Sequence, residues 1–136
     1  MHLEINDMTT FREIQDAFAD FYPFLRMEFY TREHGKYEPS LDIDLVYPGK
    51  KIGDVKKTHV SGILEISPLD TVAGVEKELK LRFGLSAQVF WKDDEVWQQT
   101  TGMDDFTLKE LNEMARNSSD EFIVYDEEDE WEEKRV

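Results

Sequence analysis

Cysteine is absent from this 136-residue chain, which excludes disulfides, thiolate-metal sites and thiol nucleophiles. No stretch approaches the ~20 apolar residues that a membrane-crossing helix needs. The opening Met1-His2-Leu3-Glu4-Ile5-Asn6-Asp7 has neither a basic start nor an apolar segment, so no signal peptide is read there. Positive charge is scarce: 16 Lys and Arg face 31 Asp and Glu, a formal net charge of −15. Binding phosphates needs clustered cations. The main cluster, Lys50, Lys51, Lys56 and Lys57, is outweighed by surrounding acids, so neither nucleic acid nor an anionic membrane is an expected partner. A cytoplasmic location is the simplest reading. Phosphate loops and the G-x-S-x-G elbow are missing, and His2, His34 and His59 lack metal-ligand spacing. Neither a cofactor nor a catalytic residue is indicated.

Aromatic side chains, at 12% of residues, are plentiful, and they fall into periodic patterns. Phe11, Ile14, Phe18 and Phe21 form one face of a helix, opened by a Thr10/Glu13 capping box. Val72, Val75, Leu79 and Phe83 form a second stripe, opened by Asp70 or Thr71 and stopped by Gly84. Leu108, Leu111 and Met114 or Ala115 form a third, opened by Thr107/Glu110 and ending near Asn117. Alternation predicts strands around Leu3 and Ile5, over 25–29, 41–45, 64–66, 87–91 and 96–101, and in the run 122–125.

Laying residues 3–22 over 64–83 requires no gap: Leu3, Glu4, Ile5 and Thr10 meet Leu64, Glu65, Ile66 and Thr71. The following strands fit with a shift of one more residue, Leu25, Met27 and Phe29 meeting Ala87, Val89 and Trp91. The chain therefore reads as two β-α-β-β pseudo-repeats, about 1–60 and 61–119. Neither half can cover its own sheet, so a shared core is expected. The fold class is α+β: one two-layer domain over 1–119, with helices on one face of a mixed sheet. Residues 120–136 read as an acidic, partly disordered tail.

The run Phe83-Gly84-Leu85-Ser86-Ala87-Gln88-Val89-Phe90, then Trp97, then Asp104-Asp105-Phe106-Thr107-Leu108, resembles a group of small uncharacterised bacterial proteins. These share an FGLSxQVF strand, a Trp-containing strand and a DDxTLxE helix start. The resemblance covers 62–117 and implies a compact α/β-type domain inside the cell, with no activity attached.

Asp42 and Asp44, two apart on an expected strand, would aim both carboxylates at one face, as a divalent cation requires. With Asp104 they define one functional alternative, a metal-dependent hydrolase. Aromatic residues on alternating strands define the leading one, a non-catalytic interaction or self-associating module. Tyr30 and Phe90, expected on the sheet face away from the helices, would meet a partner protein or second copy with Trp91 and Trp97. Trp131, inside the acidic tail, would be a further anchor. A third alternative is an acidic decoy for a basic partner.

Overall fold

A computed structural model describes the backbone of residues 1–32 and 39–126, and side chains as far as Ser118 outside the 33–38 gap. Five strands and four α-helices follow in order: β1 (His2–Asn6), α1 (Phe11–Phe21), β2 (Leu25–Tyr30), α2 (Ile52–Val55), β3 (Ser61–Glu65), α3 (Val72–Phe83), β4 (Ser86–Asp93), β5 (Val96–Gln99) and α4 (Leu108–Asp126). The α+β class holds, but the strands divide between two antiparallel sheets, β1-β3 and β2-β4-β5, rather than forming one mixed sheet.

Local signals explain the helices. The Thr10 hydroxyl accepts from the Glu13 amide while the Glu13 carboxylate accepts from the Thr10 amide, both at 3.2 Å. The apolar face of α1 then buries Phe11, Ile14 and Phe18. Thr71 caps α3 through the Gly74 amide at 3.0 Å, and Gly84 ends it at φ 68°, where glycine carries no Cβ penalty. Helix α4 does not stop near Asn117. Its backbone continues to Asp126, so the apolar run 122–125 is helical rather than a strand. No proline or glycine stands between Thr107 and Asp126 to break it.

Positions equated in the overlay face one another in both ladders: Leu3 pairs with Leu64, and Met27 with Val89. A local two-fold relation places them this way. Tertiary hydrogen bonds recur as well. The Phe11 and Arg12 amides donate to the carbonyls of Lys50 and Pro48; the Val72 and Ala73 amides donate to those of Phe106 and Asp104. Ile52 and Gly53 donate back to Thr9 and Asp7, as Leu108 and Lys109 do to Asp70 and Pro68. The first turn of α4 thus occupies in the second half the place that α2 has in the first. All these elements feed one buried cluster, with Ile5, Phe11, Ile14 and Phe18 alongside Leu64, Val75, Leu79, Leu108 and Leu111.

Candidate functional site

Period-two alternation misplaces residues 41–45. Asp42–Asp44 form a 3-10 turn, closed by the Asp44 amide on the Leu41 carbonyl and the Leu45 amide on that of Asp42. Residues two apart on such a turn point about 120° apart, so Asp42 and Asp44 do not share a face as strand carboxylates would. Ile43, expected to be covered, is 89% exposed. Among the described residues, the Tyr30–Leu45 bridge, two flanking backbone hydrogen bonds and the Thr31 hydroxyl on the Asp44 carbonyl tie this segment to the end of β2. Asp44 lies 3.6 Å from the Arg32 guanidinium. Among the described residues no three metal-binding side chains gather. Asp104 is buried in the turn before α4, where its carbonyl accepts from Ala73.

The outer face of the three-stranded sheet is less open than its alternation implies. Tyr30 retains 5% exposure rather than standing free. Ser40 is held against β4 and β5. Its amide donates to the Gln99 side chain and its carbonyl accepts from it, both at 2.9 Å, while its hydroxyl donates to Gln88. Burial, with Glu28 and Asp42 nearby, pushes the Tyr30 phenol up to about 12. That phenol stays protonated at neutral pH. Phe90 and Trp97 are half-buried, and the Arg26 guanidinium lies 5.6 Å from the Trp97 ring centroid. Trp91 turns to the opposite face, against the core and beside Met114. Trp131 and His34 lie outside the described residues.

Besides Asp104, two buried carboxylates could carry chemistry, Glu28 and Glu76, and both have structural work. Glu28 accepts from the Gln15 side-chain carboxamide at 2.9 Å and from the Arg26 guanidinium at 2.8 Å. Glu76 accepts from the Val89 amide, 2.9 Å away, just where β5 leaves the sheet. Gln15 and Glu76 are overlay equivalents, each reaching from its helix to a sheet edge. Among the exposed histidines, His59 sits 2.7 Å from Asp7, whose carboxylate also accepts from the Val60 amide. Those hydrogen bonds, the Val60 one foremost, hold Asp7 below the usual carboxylate range.

Among the described residues, a concavity lies between β3 and α3. It measures about 670 Å³, with Ile63, Glu65 and Ile66 on the strand side and Gly74, Glu78 and Arg82 on the helix side. Leu69, Asp70 and Thr71 close one end. Its strand wall is an open edge. Met1 and Ile66 exchange both backbone hydrogen bonds, at 2.8 and 2.9 Å. Antiparallel alternation then makes Leu3–Leu64 the next such pair and leaves Ile63 and Glu65 with N–H and C=O facing away from β1. Those groups find no backbone partner among the described residues.

None of these residues stood out as a binding position in the sequence. The signal that could have found the groove is one mismatch in the overlay. Gly74 occupies the place of Glu13, so the helix wall lacks a side chain where the first half has its capping carboxylate. No family model matches this chain, and neither a curated protein nor a solved structure matches it.

Proposed function

We propose that the chain is a non-catalytic, cytoplasmic protein-interaction module built on an internal duplication, and that its contact surface is the β3–α3 groove. One observation carries this reading: an open strand edge runs along a groove that sets the exposed apolar side chains Ile63 and Leu69 beside the carboxylates of Glu65, Asp70 and Glu78. Exposed strand edges are normally blunted or covered, because their unpaired amides recruit other chains. Here Ile63 and Leu69 add exposed apolar surface beside the edge. The buried carboxylates Glu28 and Glu76 favour the same reading, since both are occupied in holding helices to strands.

Panning a random linear-peptide library over the immobilised chain tests the proposal. An interaction module enriches sequences with a common pattern that compete with one another for the protein. Recovery of nothing beyond what the bare matrix retains overturns it. Light scattering across a concentration series decides self-association, and a strict monomer removes that part.

A further inference from the structure

The groove also specifies the chemistry of its occupant. Resting on the interaction-module reading, we infer that it takes an extended peptide segment of another protein, added antiparallel or parallel to β3, with Lys or Arg alternating with apolar residues. Three features converge on this. First, the outward N–H and C=O groups of Ile63 and Glu65 offer the main-chain hydrogen bonds that strand addition uses. Second, the walls match in length. From Ile63 to Ile66 the strand runs about 10 Å at ~3.3 Å per residue. From Gly74 to Arg82 the helix runs about 12 Å at ~1.5 Å per residue. That length suits a peptide of about four residues.

Third, the charges have a sign. Glu65, whose carboxylate lies 3.0 Å from the His2 imidazole, Asp70 and Glu78 line the groove, and Arg82 is the one Lys or Arg among its lining residues. Arg82 is itself committed, its guanidinium 3.0 Å from Glu78 and 5.0 Å from the centroid of the Phe83 ring. An exposed pair of that kind is weak, so an incoming cation competes for Glu78 easily. Ile63 and Leu69 receive the alternate apolar side chains.

A basic peptide will adhere to any protein of charge −15, so the test must separate the groove from the general field. Gly74→Glu does so. It adds a negative charge, which strengthens diffuse attraction, yet fills the helix wall of the groove. It also supplies the residue type that completes the Thr10 capping box in the first half, with its Cβ 3.0 Å from the Thr71 hydroxyl, which must shift slightly to admit it. The probe is a fluorescein-labelled Lys-Val-Lys-Val-Lys-Val-Lys peptide, followed by anisotropy, with Lys-Pro-Lys-Pro-Lys-Pro-Lys and Glu-Val-Glu-Val-Glu-Val-Glu as controls. Saturable binding of the Lys-Val peptide at least tenfold tighter than either control, weakened tenfold or more by Gly74→Glu, supports the inference. Unchanged or tighter binding to Gly74→Glu, or equal binding of the Lys-Pro peptide, overturns it. A thermal melt verifies the variant; should it not fold, Ile63→Glu replaces it, again adding negative charge while removing apolar contact, with the same two outcomes. If library panning yields a consensus that is neither basic nor extended, the module reading stands and this inference falls.

Discussion

Residues 2–30 and 61–93 follow the same strand–helix–strand order, yet only the second segment is lined by the large groove. The two agree wherever the shared core decides. Phe18 and Leu79 are equivalent and fully buried, as are Ile5 and Ile66, and Ile14 and Val75. They part where one side chain meets solvent or a strand edge. Glu13 closes the first turn of α1, whereas Gly74 leaves that of α3 open. At the helix ends, Tyr22 stands against Phe83. The core therefore constrains the volume and polarity of equivalent positions, and surface differences are free to create a binding feature in one half alone.

That comparison breaks most decisively if the halves do not share a core. Phe18→Ala should cost about 3–5 kcal/mol and Leu79→Ala about 2–5 kcal/mol, the usual range for fully buried large-to-small changes. Both should lower the same calorimetric transition. Two separable transitions, each sensitive to one variant only, would mean that the halves fold as independent units.

A smaller effect sharpens the contrast at the sheet edges. Gln15 and Glu76 occupy equivalent helix positions, but Glu76 holds a strand amide with a buried carboxylate. A charge-assisted bond of this kind contributes more than a neutral one. Glu76→Ala, which strands the Val89 amide, should cost about 2 kcal/mol in urea unfolding, and Gln15→Ala about 1 kcal/mol or less. Equal losses would mean that the carboxylate adds nothing over the carboxamide.

How far the fold is legible in the sequence follows from the same contrast. Helices α1 and α3 are legible because their periodicity and caps are local signals, read within a dozen residues. The overlay reveals the pairing of Leu3 with Leu64 only in hindsight, since periodicity gives a strand's faces but not its neighbours. Residues 41–45 mislead for a related reason. Their alternation satisfies a strand pattern, but Asp42 and Asp44 sit where two short i→i+3 bonds close a turn, and one bridge replaces a ladder. Tyr30 is misjudged because its burial depends on tertiary neighbours, Leu45 through a bridge and Ser86 through the ladder, that alternation within β2 does not register. The groove is hidden because it consists of an absent side chain and an unpaired edge, neither of which leaves a motif.

The last contrast predicts a gain. The Tyr22 hydroxyl is buried without a hydrogen-bond partner among the described residues, while its equivalent, Phe83, carries no hydroxyl. A buried unpaired hydroxyl loses its hydration for nothing, so Tyr22→Phe should stabilise the protein by about 1 kcal/mol in chemical denaturation at neutral pH. The pH dependence follows from ionisation. Burial, with Asp70 adding repulsion, raises the Tyr22 phenol above its ordinary value of 10.0. The folded state therefore favours the neutral phenol, an advantage fully present below pH 10 and lost as pH rises through the higher folded value. Tyr30 behaves alike, its loss running from about pH 10 to about 12. In Tyr22→Phe the alkaline decline should be shallower, with the residual slope belonging to Tyr30. A variant no more stable than the parent would mean that the hydroxyl finds a partner in solution, and that position 22 differs from position 83 in more than one atom.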